Sequence, residues 1–576
     1  MEKVYEEIKK IYLKYSNICN ILLLGLCCWL FLFFNLGGYP LIDVDETRYV
    51  NMSRDMMQLN DYITPYLNFE NFLEKPPLYF WFNVIAFKLL NSTDAFAGRF
   101  ANALLGAFSV FFTYFFGAKV LKSKTYGLMS ALVLLSSVWF LVLSHIAILD
   151  MGFMAFSMAT IYSAVLTLYV QDKNKKWMWY LGYFFMALSV LMKGLIGIIV
   201  PCMVTFLTFL ALKRAKEMFK LIYTIPGVII FLLITAPWHI AVFNVHKMAW
   251  FNDYIVKHHF ARFIDSSMGL GRKQPLLFYV PIVLAGIAPW TMSFFAQMFK
   301  GIKSAIKDFK TTKSYKVLFT CDSADKKLLL FAIIYALSTL VFFSVSSSKL
   351  PTYALTLFPA MALLVGYFWW GYVRFDKYAK ECKIANILHT ILMLIISICA
   401  IVITIAPPES ISLYVQKMSG FAGILCAWVA LVPLAGLLFM IFKKKALLFA
   451  SYVVFSLGIM TIGTFHILPF VTSFGQDELE NFAKIVQNSS KKVELITFGF
   501  QRKYSLMNNY DKKINYIIQT DEAAIDEFKT ISDKLSKDNE VYLIVKEETY
   551  NFFEPTKLFK GYKIKEKGEK YLLLVK

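Results

Sequence analysis

The stretch NICNILLLGLCCWLFLFFNL (residues 17–36) decides the fold class, and the charged string DVDETRY (residues 43–49) follows it closely. About 18 or more consecutive apolar residues are enough to cross the hydrocarbon of a bilayer. This run is too long for the core of a signal peptide, and no small-residue cleavage pattern follows it. We therefore interpret it as an uncleaved first span with a charged loop directly outside the membrane.

The composition extends this interpretation to the whole chain. Of 576 residues, 58% are hydrophobic and 17% are charged, and the mean hydropathy is +0.55. Soluble domains have about 45–50% apolar and about 25% charged residues, so a cytosolic enzyme, a secreted disulfide scaffold and a disordered chain are excluded. The net charge of +21 comes from Lys and Arg in short loops between apolar runs, as in cytoplasmic loops of membrane proteins. We expect an α-helical polytopic membrane protein that contacts membrane lipids and binds no nucleic acid.

Thirteen apolar runs are candidate spans, and an odd number places the two termini on opposite sides of the membrane. With a cytoplasmic N-terminus, almost every basic cluster falls on the cytoplasmic side. The weakest assignment is residues 177–211, where either two short spans or one tilted helix with a re-entrant turn could surround Lys193 and Gly194. The expected spans are residues 19–37, 100–121, 126–144, 151–170, 177–193, 195–211, 221–243, 276–297, 328–346, 353–373, 385–406, 420–442 and 446–470.

The composition changes after residue 470, where apolar runs shorten to strand length and charge rises. VELITFGF, INYIIQ and EVYLIVKE alternate with helical stretches such as DELENFAKIVQN, and a hairpin-like YKIKEKGEKYLLLV ends the sequence. This alternation predicts a small α/β domain. We therefore divide the chain into a transmembrane domain, residues 1–470, and an extracytoplasmic domain, residues 471–576.

The first outer loop, residues 38–99, has the residues best suited to chemistry. Carboxylates suit a general base or a cation site, and fixed cations suit the phosphate of an anionic lipid. From composition alone, a solvated amphipathic loop lying on the lipid headgroups explains the same residues. The charged side chains next to the first span and thirty residues later are Asp43, Asp45, Glu46, Arg48, Glu74 and Lys75.

Several strings in this loop and beyond occur together in one order: DETRY, SRDM, DYITPYLN and EKPPLYFW, then SHIAILDMGFMAF, LMKGLIGII, APWH, KHHFARF and FFSVSSSKLPTYALTLFPAMALLVG. In order and spacing they resemble the GT-C class of membrane glycosyltransferases. The nearest branch is the aminoarabinose transferase and protein O-mannosyltransferase-like group of bacteria. The resemblance covers residues 40–366 closely. It implies a GT-C fold with about 13 transmembrane helices and a small extracytoplasmic α/β domain.

The resemblance implies a role for each matching residue. Asp45 would be the catalytic carboxylate at the outer face, and Asp150 a second acid. The donor phosphate would be held by Arg48, Lys75, Lys349 and Tyr353. Supporting residues would be Asp43, Glu46 and Glu74. One histidine, best matched by His258, would help to hold a divalent cation near the site, and no other cofactor is expected.

The resemblance also implies an activity: inverting transfer of a monosaccharide from an undecaprenyl-phosphate donor at the outer face of a bacterial inner membrane. The expected acceptor is lipid A or another envelope glycolipid, and a protein hydroxyl is the next alternative. A transporter or flippase of lipid-linked intermediates is the rival from another class. It should show internal repeats and ionisable residues near the bilayer midplane, whereas the acids here cluster at one interface.

Two positions depart from the pattern of the family. The family commonly has Glu two positions after the Tyr of DETRY, and this chain has Asn51 there. Asp43 lies two residues before Asp45, so the assignment of the base could move to Asp43. Among the remaining polar residues of the spans, we interpret Lys193 as marking a helix turn and His145 and His239 as hydrogen-bonding residues at helix ends.

Overall fold

The computed structural model describes residues 16–261, 274–313, 323–408, 412–473, 475–489, 492–537 and 539–576. Long apolar helices fill the first four-fifths of the chain, and a five-stranded sheet with flanking helices forms the C-terminal part. The predicted fold class, a polytopic helical protein with a small α/β domain, is confirmed.

The helices before the C-terminal domain include both long apolar rods and short elements of the outer loop. Their bounds are α1 Ser16–Phe33, α2 Asp45–Leu59, α3 Leu78–Leu90, α4 Ala95–Val120, α5 Lys124–Leu135, α6 Val138–Ser144, α7 Leu149–Leu166, α8 Asp172–Lys193, α9 Ile196–Ala211, α10 Leu221–Trp250, α11 Tyr279–Gly286, α12 Thr291–Thr312, α13 Ala324–Val345, α14 Phe358–Phe375, α15 Ala379–Ile405, α16 Ser412–Ile441 and α17 Lys445–Ser473. Two short strands, β1 Tyr66–Leu67 and β2 Glu70–Asn71, form a hairpin between α2 and α3.

The number of membrane-crossing helices depends on how bent and short helices are counted. Within the described residues, nine helices are long and apolar enough to cross a membrane, or eleven if each of two bent pairs is one span. The other two of the thirteen predicted spans correspond to α8, which begins with several charged residues, and α9, which has 16 residues. Each predicted span therefore lies on a helix, although length and composition alone support nine to eleven spans.

The ambiguous segment 177–211 contains two helices separated by a tight turn. Gly194 has φ +84°, a conformation that disfavours residues with a Cβ. A Cβ added at Gly197 would meet the backbone of Ser189 at 2.5 Å, so α9 packs closely against the end of α8. The prediction that Lys193 marks a helix turn is confirmed.

The two bent helix pairs contact each other at their breaks. The α5–α6 pair bends by 65° and the α11–α12 pair by 111°. Val138 donates a backbone hydrogen bond to the carbonyl of Ala288 at 3.1 Å, and the indole of Trp290 donates to Oγ of Ser136 at 3.0 Å. Broken helices are tolerated within a membrane protein where neighbouring groups satisfy the freed polar atoms in this way.

The C-terminal domain has the α/β pattern that the sequence predicts. Its elements are α18 Asp477–Gln487, β3 Val493–Phe498, β4 Ile514–Ile517, α19 Glu522–Leu535, β5 Glu540–Lys546, α20 Glu547–Phe553, β6 Lys563–Lys567 and β7 Tyr571–Val575. The strand order is β4-β3-β5-β7-β6, with β3 parallel to β4 and β5. β7 is antiparallel to both β5 and β6, so the predicted C-terminal hairpin is confirmed.

A buried ion pair fixes the start of the first outer loop. Arg99 in α4 and Glu46 in α2 are both fully enclosed, and the guanidinium binds the carboxylate through Nε at 2.7 Å and Nη2 at 2.8 Å. The remaining Arg99 donors bind the carbonyls of Leu36, Tyr39 and Pro40 at 2.7–2.9 Å. Every N–H of this guanidinium therefore has an acceptor, as a buried charge requires.

We expect Arg99→Met to destabilise the protein by about 3–5 kcal/mol, because it leaves the Glu46 carboxylate buried without its counter-charge. The double variant Glu46→Gln with Arg99→Met removes both charges and should recover part of that loss. Thermal unfolding of the purified protein in detergent, together with folded yield, measures both effects. Wild-type stability in Arg99→Met would show that the pair does not fix the loop.

Candidate active site

The first turn of α2 presents one exposed carboxylate with an arginine beside it. Asp45 keeps 64% of its side chain exposed and accepts a 2.6 Å hydrogen bond from Nη2 of Arg48. Arg48 also lies over the ring of Tyr49 at 4.9 Å. A carboxylate at a helix N-terminus is stabilised by the helix dipole, and this one is open to solvent. Asp45 is thus placed to meet a substrate at the outer surface.

A second ion pair joins α7 and the α8–α9 turn. Nζ of Lys193 lies 2.5 Å from Oδ1 of Asp150, and each side chain is only about a tenth exposed. The same ammonium lies 4.3 Å from the ring of Tyr353 and 5.1 Å from that of Phe153. Lys193 is therefore part of a polar cluster with Asp150 and Tyr353, in addition to marking the predicted turn.

Tyr49 lies next to the Asp45–Arg48 pair. It is buried, its ring meets that of Tyr79 edge-on at 6.1 Å, and its hydroxyl accepts a 3.3 Å hydrogen bond from Nη2 of Arg48. Burial raises the pKa of Tyr49 to about 12. The charges of Asp45 and Asp150 act in the same direction, whereas the charge of Arg48 opposes it.

Two of the predicted phosphate-binding residues, Lys349 and Tyr353, lie in the segment before α14. Lys349 is buried and donates to the backbone carbonyl of Gln274 at 3.1 Å. Tyr353 packs on Phe343 of α13, with ring centroids 5.3 Å apart. Lys75 is half-buried in the turn before α3. The structure thus brings Tyr353 to Asp150 and Lys193, and the phosphate-binding roles of these residues stay predictions.

The membrane-spanning helices also form an apolar groove. It has a volume of about 810 Å³ between α9 and α13 and is lined almost wholly by aliphatic side chains, including Leu207, Leu337 and Val341. It also contains Phe342 and Val345, which flank the Phe343 and Ser344 positions, and Phe343 packs on Tyr353.

The histidines have the simple roles that the sequence indicates, apart from His258. His145, at the end of α6, binds the carbonyl of Leu141 at 2.9 Å, as predicted. His239 binds the carbonyl of Thr235 at 2.7 Å but lies within α10, so its predicted place at a helix end is wrong. Nε2 of His258 lies 3.5 Å from Glu74 and 3.7 Å from Asp253. No group of three or more His, Cys, Asp or Glu side chains in the described part of the chain has the geometry of a metal site.

Of the acids in DVDETRY, only Asp45 is available to a substrate. Glu46 is bound to Arg99, to the backbone N–H of Ala147 and to that of Ile42. Asp43 accepts hydrogen bonds from Thr47 and from Ser505 of the C-terminal domain. The sequence left open whether Asp43 or Asp45 is the base. The Asp43 carboxylate is already hydrogen-bonded to protein groups, which favours Asp45.

The sequence interpretation missed Lys193 as a member of the polar cluster and Ser505 as the partner of Asp43. A lysine among apolar residues is functional by default in a membrane span, and that rule could have identified Lys193. Ser505 lies in a polar surface-type segment and gives no comparable signal in the sequence. Its proximity to Asp43 depends on how the C-terminal domain docks.

Known proteins with similar sequences include glycosyltransferases of two kinds. The family model for dolichyl-phosphate-mannose-protein mannosyltransferase matches residues 17–251. The undecaprenyl phosphate-alpha-4-amino-4-deoxy-L-arabinose arabinosyl transferase of Yersinia enterocolitica is 26% identical over 60% of this chain and 56% of its own length. Its counterpart in Yersinia pestis is 26% identical over 59% of this chain and 55% of its own length. The aligned part is thus little more than half of each relative.

The fold comparison extends over the whole chain. ArnT from Cupriavidus metallidurans, solved bound to undecaprenyl phosphate, superposes with a TM-score of 0.74 over 96% of this chain and 97% of its own, at 20% identity. Its apo form gives the same TM-score. At 20% identity this likeness shows a shared fold, that of a polytopic membrane protein. In sequence and in fold the chain is similar to membrane glycosyltransferases of the aminoarabinose transferase-like group, which confirms the resemblance found in the sequence.

Two further acids lie at the junction between the outer loop and the C-terminal domain. Burial raises the pKa of Asp55 to about 7, against the opposing effects of the Phe69 and Asn68 backbone N–H groups and the Arg54 charge. Burial also raises the pKa of Glu480. Both side chains lie near a polar cavity of about 260 Å³, which Asp55 lines together with Arg54 and Asn508.

We expect the stability of the protein to fall as the pH rises from about 4 to about 7, because folded Asp55 retains a proton that the unfolded chain releases at its lower pKa. The effect is at most about 4 kcal/mol. Asp55→Asn should flatten the dependence of the melting temperature on pH between 5 and 8. The exposed Glu70→Gln is the control. An unchanged slope in Asp55→Asn would assign the dependence to another group.

Proposed function

We propose that this protein is an inverting glycosyltransferase that moves a monosaccharide from a polyprenyl-phosphate donor to an envelope glycolipid such as lipid A. The observation that carries the proposal is the exposed Asp45 carboxylate paired with Arg48 at the start of α2, together with the cluster of Asp150, Lys193 and Tyr353. The relatives named for undecaprenyl-phosphate-linked aminoarabinose transfer, and an ArnT structure with undecaprenyl phosphate bound, support this choice of donor.

The donor would bind with its polyprenyl chain in the α9–α13 groove and its phosphate among the cations. Arg48, Lys75, Lys349 and Tyr353 are the proposed phosphate ligands, and Lys193 lies next to Tyr353. The phosphate gains negative charge as the bond to the sugar breaks. Fixed cations that are already in place stabilise that charge in the transition state more than in the ground state.

The reaction is a single displacement at the anomeric carbon. An acceptor oxygen attacks that carbon from the face opposite the phosphate, the bond to the phosphate oxygen breaks, and its electron pair leaves with the phosphate. Asp45 takes the proton from an acceptor hydroxyl. A donor phosphate that binds Arg48 would weaken the Asp45–Arg48 pair and make the carboxylate a better proton acceptor. One displacement inverts the anomeric configuration.

A protein hydroxyl is the second candidate acceptor. The observation that favours it is the match of residues 17–251 to the family of dolichyl-phosphate-mannose-protein mannosyltransferase. The named aminoarabinose transferases favour a glycolipid acceptor instead. We place both the reaction and the C-terminal domain, residues 471–576, on the outer side of the bacterial inner membrane.

A divalent cation near the site is a further part of the proposal. His258 and Glu74 would be two of its ligands, since imidazole and carboxylate groups both bind divalent metals. Their atoms lie 3.5 Å apart, and Asp253, the next acid, is also bound to Lys257. The cation would supply positive charge near the donor phosphate. The displacement and the proton transfer to Asp45 depend on residues of this chain.

Asp45→Asn keeps the size of the side chain and removes its basicity, so turnover should fall by about 10²-fold or more, with donor binding retained. Sugar transfer from a synthetic polyprenyl-phosphate donor to purified lipid A in nanodiscs measures turnover. Glu70→Gln, a carboxylate change elsewhere in the same loop, is the matched control. Near-normal turnover in Asp45→Asn, with loss in Asp43→Asn, would make Asp43 the base.

Lys75→Ala should weaken donor use, because a cation lost from a partly desolvated phosphate site costs roughly 1.5–3 kcal/mol, or 10- to 100-fold in kcat/KM. Lys88→Ala is the matched control, since this lysine of α3 is exposed and contacts Tyr62. Equal kcat/KM for both variants and wild type would move the phosphate site to the Lys349 side of the cluster.

A further inference from the structure

The C-terminal domain contacts the catalytic loop at the residues that precede Asp45. The contact is made by a single turn of 3-10 helix, Tyr504–Asn508, which we name the 504–508 turn. Its Ser505 is fully buried, donates its backbone N–H to Oδ1 of Asp43 at 2.9 Å, and donates its hydroxyl to Oδ2 at 2.6 Å. Both carboxylate oxygens of Asp43 are therefore held by one residue of the other domain.

The backbone of the loop is held by a second C-terminal residue. Gln476 is buried, its side-chain oxygen accepts from the N–H of Asp43 at 2.9 Å, and its amide nitrogen donates to the carbonyl of Leu41 at 2.6 Å. Within the loop, Thr47 donates its hydroxyl to Oδ1 of Asp43 at 2.7 Å. The residues on both sides of Asp45 are thus held by the C-terminal domain. Leu41 and Asp43 bind it directly, and Thr47 is linked to it through Asp43.

Both departures from the family pattern noted in the sequence fall on this same contact. Asp43 binds Ser505, and Asn51 donates its amide to the carbonyl of Tyr504 at 3.1 Å. Both residues therefore bind the 504–508 turn.

We propose that the 504–508 turn positions the catalytic loop, with Ser505 and Asp43 as positioning residues that set the location of Asp45. The inference rests on the proposed function. Asp45 itself is mostly exposed and is bound to Arg48, its neighbour on the same helix. Its place relative to the donor therefore depends on the backbone that Asp43 anchors. A displacement of about 1 Å at a reacting group can reduce turnover by about 10²-fold.

Ser505→Ala keeps the backbone hydrogen bond and removes the hydroxyl. We expect kcat to fall about tenfold, with little change in donor KM or melting temperature, and Ser505→Thr to restore it. In a cycle with Asp43→Asn, the double variant should be little worse than either single variant, because both remove the same contact. The matched control is Asn68→Ala, which breaks another contact between the two domains, the paired hydrogen bonds to Ile514.

Hydrogen exchange gives a readout that does not depend on activity. Peptides covering residues 41–50 should exchange faster in Ser505→Ala than in wild type, whereas Asn68→Ala should leave them unchanged. Wild-type kcat and wild-type exchange in Ser505→Ala would overturn the proposal, and so would equal effects of Ser505→Ala and Asn68→Ala. If wild-type protein transfers no sugar, the proposed function fails, and the exchange comparison still decides whether the turn positions the loop.

Discussion

The buried pair between Glu46 and Arg99 is the constraint on which the outer face of this protein depends. Five guanidinium N–H groups bind one carboxylate and three backbone carbonyls, so the chain leaving α1 is tied to α4 and to the start of α2 at one point. The ring of Tyr39 covers the guanidinium at 3.8 Å, and its hydroxyl donates to the carbonyl of His145. A charge this enclosed tolerates only one arrangement of its acceptors. The start of the loop is therefore fixed by this pair.

The same arrangement separates two acids bound by the protein from one open to solvent within four residues. Asp43 and Glu46 have their oxygens bound by the protein, and Asp45 between them remains largely exposed. Sequence alone places three similar side chains beside the membrane. Their chemical difference arises from partners in α4, the α6–α7 connection and the C-terminal domain.

The features that the sequence predicts correctly are those that depend on neighbouring residues in the chain. Apolar runs, turn glycines and strand alternation depend on neighbours in sequence, and the spans, the Lys193–Gly194 turn and the C-terminal sheet were all predicted from them. Asp45, Asp150 and Tyr353 came from a resemblance, and the structure shows Asp150 and Tyr353 on either side of Lys193. The partners of Lys193 and Ser505 could not be predicted, because Asp150 and Asp43 lie 43 and 462 residues away. Such contacts depend on helix packing and domain docking.

The charges of the cluster also indicate how it would discriminate between ligands. Asp45 with Arg48 and Asp150 with Lys193 are each neutral as pairs, so these two pairs bring no net charge beside the hydrocarbon. In the proposed function, Lys75 and Lys349 would add positive charge that an anionic lipid phosphate attracts. A neutral lipid in the α9–α13 groove would gain the apolar contacts without that attraction. The groove would therefore contribute affinity for any long chain, and the charged end would select for a phosphate headgroup.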